Sequence, residues 1–258
     1  MLAIMSATPE ESAAVVAALS ARQTREKGRR LYQLGILHGI EVVVVFSRWG
    51  KVAAAATATQ LIDGLGVTQL VFSGVAGAVR TDLAIGDVVI GTELIQHDMD
   101  ATPLFARYEI PLLGQSTFAT DLGLRADLAV AAQAFVRDDL AVTVPANVRE
   151  LFGIRTPRIV HGIIASGDQF FSGASRLAEL RQRLPEVSCV DMESAAVAQV
   201  CTEYAVPFAI VRTISDSADD NASHDFPRFS REIAGQYSLG IVTALLRERS
   251  RRLARANH

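Results

Sequence analysis

The chain has 258 residues, half of them hydrophobic, with 25 basic against 28 acidic side chains and a formal net charge of −3. That length admits one large α/β domain, and that apolar content fills a sizeable core, which excludes a disordered chain. The near balance of charge excludes a general nucleic-acid or membrane-surface binder, whose signature is an excess of Lys and Arg.

"LAIMSA" (2–7) reads as a strand. "MLAIM" lacks the basic start of a secretory leader, and Glu10 and Glu11 follow almost at once. A helical pattern covers about 9–20, and "LYQLGIL" and "EVVVVFS" flank His38-Gly39 as a hairpin. Helical spacing returns over 51–64, followed by the strands "QLVFSGVAG" and "GDVVIGTELIQ". The segment 97–121 has little periodicity and is bent at its prolines and glycine. A loop that long in a compact domain is usually functional, so it is the candidate lid or dimer arm. Helices over 122–137, 174–183, 193–203 and 228–248 then alternate with the strands "RIVHGIIASGD", "VSCVDME" and "VPFAIVRTIS". The basic end "RERSRRLARANH" reads as a solvated helix terminus, where cations suit the helix dipole.

These strands are apolar throughout rather than alternating, so both sheet faces should be covered. One α/β domain spanning 1–258 is expected, a central sheet between two layers of helices. No apolar run reaches the ~18 residues needed to span a bilayer. The two cysteines, Cys189 and Cys201, lie in apolar segments and read as core thiols. Two are too few for a disulfide framework, and a soluble cytoplasmic protein is expected.

Chemistry is expected at the carboxyl ends of the strands, where open α/β sheets bind ligands. Acids gather there: Glu11 after β-like "LAIMSA", Asp191 and Glu193 in "VDMES", and Asp216 in "ISDS". Each has a bland reading. Thr8, Pro9 and Glu11 have the spacing of a capping box. Glu193 and Asp216 suit helix starts, which favour anions. Together, three such acids suit cleavage through a cationic sugar transition state. One activates water, one holds sugar hydroxyls and one protonates the leaving group. Gly74 and Gly77 in "SGVAGAV" permit close backbone approach to a ligand. "SRWGKVA" is not a phosphate loop, because Val45 and Val52 stand at its first Gly and its Ser/Thr positions. His97, Asp98 and Asp100 are conceivable metal ligands, but no second cluster has zinc spacing, and no metal is expected. Phe170-Phe171 packs in a core or stacks on a flat heterocycle.

In order along the chain, "GKVAAA", "GVAGAV", "SGDQFF" (166–171), "VDMESAAVAQV" (190–200) and "VRTISDSAD" (211–219) together resemble the 5′-methylthioadenosine/S-adenosylhomocysteine nucleosidases of the nucleoside phosphorylase superfamily. The resemblance runs to about residue 246 and is weakest over 101–121. It implies a three-layer α/β/α sandwich with a mixed, partly barrel-like sheet, and a homodimer. It also implies hydrolysis of the adenine–thioribose bond without metal or organic cofactor. Glu11 then resembles the base that deprotonates water, aided by Arg212. Glu193 resembles the carboxylate that accepts the 2′- and 3′-hydroxyls, staying ionised, with Met192 against the sugar. Asp216, supported by Ser215, resembles the acid at adenine N7. Its usual pKa of about 3.9 should be raised by burial and by nearby carboxylates. Phe170 resembles the stacking ring, backbone around Phe171 the reader of the base edge, and Val75, Ala76 and Gly77 the ligand loop. Trp49 and Phe226 join the substrate-binding set. Asp191 is expected to be an outward or structural acid.

Val75 replaces a serine frequent in the family loop, Ala78 a glycine, and Trp49 a smaller aliphatic residue near the 5′ substituent. In the arm, Phe105 and Tyr108 are the residues matched to aromatics that a partner subunit contributes, and Arg107 is placed to pair with a carboxylate on a longer 5′ tail. Three rivals remain. A phosphorylase needs arginines for phosphate, where this chain has Glu10 and Glu11 and only Arg48 nearby. Another 5′-modified adenosine of the futalosine type is a second possible substrate. A binding-only sensor would usually have lost one of the three acids.

Overall fold

The computed structural model describes residues 1–218 and 222–256; Asp219, the last residue of the 211–219 motif, lies outside them. The elements run β1 (Leu2–Ser6), α1 (Pro9–Ala17), β2 (Ser20–Lys27), β3 (Arg30–Leu37), β4 (Ile40–Phe46), α2 (Lys51–Thr59), β5 (Gln69–Ala78), β6 (Val88–Gln96) and β7 (Thr117–Ala119). There follow α3 (Leu122–Ala134), α4 (Leu140–Thr143), α5 (Ala146–Leu151), β8 (Ile159–Ser166), α6 (Ala174–Arg183), β9 (Val187–Asp191), α7 (Ser194–Glu203), β10 (Phe208–Asp216), α8 (Ala222–Phe229) and α9 (Gly235–Ala256). Single π-turns continue α2, α3 and α8.

Side chains alternate across β1: Leu2 and Ile4 enter one apolar cluster, Ala3 and Met5 another. In β4, Val42 and Val44 join the first cluster, Val43 and Val45 the second. The strands are therefore apolar at every position because both faces are buried. Helices α1 and α3 pack with α9, while α2 packs with α7.

The mixed sheet closes on itself. β10 pairs with both β6 and β5, and the ring β10–β6–β8–β9–β5 forms a small barrel. β1, β4, β3 and β2 extend from β5 as an open wing. Parallel β5 and β10 run against parallel β6, β8 and β9. The Val190 register opposite Gly77 brings the end of β9 against the end of β5. The expected barrel-like sheet between helices is what the fold contains.

Three expectations change. The first helix stops at Ala17, and 20–27 is strand β2, exposed at every residue. Its sequence "SARQTREK" carries no apolar alternation, since the ladder to β3 forms it and burial does not. Within the segment read as a loop, Thr117–Ala119 is a strand on β6, with Phe118 only 1% exposed. One buried side chain leaves no period to read. The last helical region starts earlier and ends later than 228–248, through Pro227 at one end and the charged surface turns at the other.

Candidate active site

Two residues beyond β1, Thr8 caps the next helix in an extended conformation, φ −125° and ψ 158°, and Pro9 starts α1. Thr8 Oγ1 accepts the Glu11 N–H at 3.4 Å, while Glu11 Oε2 accepts the N–H groups of Ala7 (2.8 Å) and Thr8 (3.0 Å). The capping box is thus real. The same carboxylate crosses to the barrel, where its Oε1 accepts the Val75 N–H at 3.0 Å. Burial raises the Glu11 pKa, against the opposing pull of Arg212 and the three backbone donors. Gly74 supplies the room: a Cβ there would collide with the Arg212 guanidinium and stand 2.8 Å from Glu11 Oε1.

Asp191 lies at the end of β9, buried rather than outward. Its Oδ1 accepts Ser166 Oγ at 2.5 Å and the N–H groups of Glu193 and Ser194 at 3.1 Å each. Its Oδ2 accepts Arg212 Nε at 2.7 Å and the Ser194 hydroxyl. Burial opposes its charge, yet Arg212 and these donors hold its pKa below the usual carboxylate range. Arg212, 1% exposed, also lies 4.0 Å from the centre of the Phe72 ring. The structural half of the expectation for Asp191 holds and the outward half fails, because Ser166, Ser194 and Arg212 satisfy the charge internally.

Glu193 is 5% exposed, and its Oε1 accepts the Gly50 N–H at 2.9 Å from the start of α2. Its pKa is raised by burial first and by the Asp191 charge second. Both oppose the ionised state expected of it, which calls for donors from a bound partner. Asp216 ends β10, with Oδ2 accepting Ser215 Oγ at 2.7 Å and Oδ1 accepting the Ala218 N–H at 2.8 Å. A Cβ on Gly77 would stand 2.9 Å from Asp216 Oδ1, so the glycine lets β5 approach that acid.

These groups share one pocket, whose roughly 550 Å³ of space between atoms includes open solvent. It is lined by Glu11, Val75, Ala76, Gly77, Phe170, Phe171, Met192, Glu193, Ser215, Asp216, Trp49 and Phe226. Three rings make a continuous apolar wall: Trp49 meets Phe226 edge-on at 5.6 Å, and Phe226 meets Phe170 at the same distance. Thr8, Gln169 and Val190 also line it. Arg212 stands behind the acids, outside the lining. Phe105 and Tyr108 do not line this pocket; Tyr108 packs against the apolar cluster that includes Phe171. Arg107 pairs with Asp100 at 2.7 Å, and Arg48 donates to the Arg29 carbonyl at 2.6 Å. Among the described residues no group of three or more His, Cys, Asp or Glu side chains is placed to hold a metal, His97, Asp98 and Asp100 included. Sequence reasoning missed Ser166 and Ser194 as partners of Asp191, and the Gly50 N–H as partner of Glu193. Ser194, three residues after Asp191, was the available signal; Ser166, 25 residues before it, and a backbone donor leave none.

The phosphorylase superfamily matches residues 1–247. A 5′-methylthioadenosine/S-adenosylhomocysteine nucleosidase of Actinobacillus succinogenes is 35% identical over 91% of this chain and 93% of its own. The chain belongs to the phosphorylase superfamily, among its nucleosidases. A solved nucleosidase of that name from Neisseria meningitidis, bound to methylthio-immucillin-A, superposes with TM-score 0.84 and 31% identity, covering 96% of this chain and 98% of that one. Futalosine hydrolase of Helicobacter pylori superposes with TM-score 0.81 and 28% identity, over 96% and 97% of the two chains. The barrel with its one-sided wing is thus the architecture of the nucleosidase family.

Proposed function

We propose that this chain, acting as one domain, hydrolyses the N-glycosidic bond of 5′-methylthioadenosine and S-adenosylhomocysteine, releasing adenine and the 5′-thioribose. The observation that carries this is the convergence of Glu11, Glu193 and Asp216, from three different strand ends, on one pocket with an aromatic wall. A carboxylate has about four acceptor positions. Three of those on Glu11 are occupied by backbone N–H groups, which leaves one for a water proton. Its raised pKa makes it a stronger base. Glu193 Oε2 has no hydrogen bond within the protein among the described residues, so it is open to the 2′- and 3′-hydroxyls. Those donors favour the ionised form and pull its pKa back down, and the anion then stabilises the cationic ribosyl ring. As the C1′–N9 bond breaks, water oxygen bonds C1′, its proton passes to Glu11, and Asp216 gives a proton to adenine N7. Phe170 stacks on the base, and Trp49 and Phe226 enclose the 5′ group.

Phosphorolysis fits less well. A phosphate at the water position would face the Glu11 carboxylate, while Arg212 and Arg48 are engaged elsewhere. A futalosine-type substrate is the second reading, supported by the likeness to that hydrolase; competition between nucleosides ranks it. The expected setting is a cytoplasmic homodimer in methylthio salvage and clearance of S-adenosylhomocysteine. The two buried free thiols fit a reducing compartment, and Leu104 and Leu112 of the arm, 84% and 93% exposed, fit a subunit contact. Adenine release from 5′-methylthioadenosine is expected without phosphate and about 10²–10⁴-fold slower in Asp216→Asn, the usual weight of general acid catalysis. Release only with added phosphate would overturn hydrolysis in favour of transfer.

A further inference from the structure

The segment Gln96-His97-Asp98 lies outside the pocket, yet every one of its side chains bears on the pocket's walls. Asp98 Oδ2 accepts the Asp168 N–H at 2.9 Å, and Asp98 Oδ1 accepts Lys51 Nζ at 2.6 Å. Lys51 Nζ also donates to Gln96 Oε1 at 2.9 Å, and Gln96 Nε2 donates to Gln199 Oε1 at 2.7 Å. The Lys51 and Asp98 side chains are only 17% and 19% exposed. Asp168 Oδ1 in turn accepts the Lys51 N–H at 2.7 Å. The His97 ring lies against Gly167 and meets Phe171 edge-on at 5.2 Å. Gly50, at φ +93°, has no capping side chain, so two remote carboxylates, Glu193 and Asp168, take the first N–H groups of α2. A Cβ on Gly50 would stand 3.0 Å from Asp168 Oδ1, which adds to the need for glycine there.

We propose that the Lys51–Asp98 ion pair is a brace and that both are positioning residues for the reaction, an inference that rests on the nucleosidase reading for its substrate. The brace reinforces the contact between two walls that otherwise meet through the Lys51 N–H and Asp168. One is the Trp49–Lys51 turn, whose Gly50 N–H holds Glu193. The other is the 167–171 loop, which carries Phe170 and Phe171. Tied together, they fix the ring that stacks on the base relative to the carboxylate that holds the sugar. Neither Lys51 nor Asp98 lines the pocket. Their effect acts through Gly50 and Asp168.

The test is a double-mutant cycle on the full chain, with Lys51→Ala, Asp98→Ala, the double variant and the milder Asp98→Asn. A charge-assisted hydrogen bond is worth about tenfold or more in binding. Each alanine variant is expected to raise KM for 5′-methylthioadenosine and Kd for adenine by about tenfold, with kcat changed less than about threefold. The double variant should lose no more than the worse single, and Asp98→Asn should recover part of the loss. Unchanged KM and adenine Kd in Asp98→Ala, or losses that multiply in the double variant, would overturn the brace. Fluorescence anisotropy of Trp49, the one tryptophan of the chain, separates this from the substrate assignment. If the wild type fails to cleave the nucleoside, that assignment falls, and the brace is decided by anisotropy alone. A drop in both alanine variants supports it; a wild-type value sinks it.

Discussion

Glu193 holds its proton more tightly in the folded protein than in an open chain, because burial and the Asp191 charge both penalise ionisation. The folded state therefore binds more protons than the unfolded state between the ordinary carboxylate pKa and the raised one. Stability should fall as pH climbs through that window and level off above it. Glu193→Gln removes this contribution. Its denaturant midpoint should lose less between acidic and alkaline buffer than that of the wild type, and identical pH profiles for the two proteins would refute the argument. Glu11 is shifted in the same direction, so some slope should survive in the Gln variant. At this scale the sequence was readable where an acid follows a strand: Glu11, Glu193 and Asp216 were all visible as such. It was unreadable for Asp191. Whether that carboxylate faces water or Arg212 depends on β9 and β10 lying on the same ring, and no local spacing records that.

Asp191 joins three elements, since its oxygens meet Ser166 at the end of β8, the first turn of α7 and Arg212 on β10. Removing one partner of a buried pair leaves an uncompensated charge and costs about 3–5 kcal/mol. Arg212→Met should cost that much in a urea melt. Asp191→Asn combined with Arg212→Met should be less destabilised than Arg212→Met alone, and simple additivity would show that the two do not act as a pair. Legibility among the elements follows burial. β1, β4, β5 and β10 announce themselves because both of their faces are covered. β2 and β7 do not: one is fully exposed and the other buries only Phe118. The two strands missed are those whose existence depends on a neighbour's ladder rather than on their own side chains.

Across the whole molecule, Leu104 and Leu112 of the arm stand out as large apolar side chains facing solvent. A homodimer covering them predicts that Leu104→Glu with Leu112→Glu shifts the sedimenting species from dimer to monomer and lowers turnover. An unaltered mass would exclude the arm as the contact. The ring itself has a consequence for how the protein is made. Its closing strand, β10, follows the other nine strands of the described residues in chain order, yet it pairs with β5, five strands earlier. Long-range closure of this kind is slow, and the unfinished sheet has open edges. Until β10 arrives, Asp191 lacks its arginine and Asp216 does not yet exist. The nascent chain is therefore expected to remain catalytically silent until β10 has left the ribosome. Activity should then appear in one step, together with resistance to proteases.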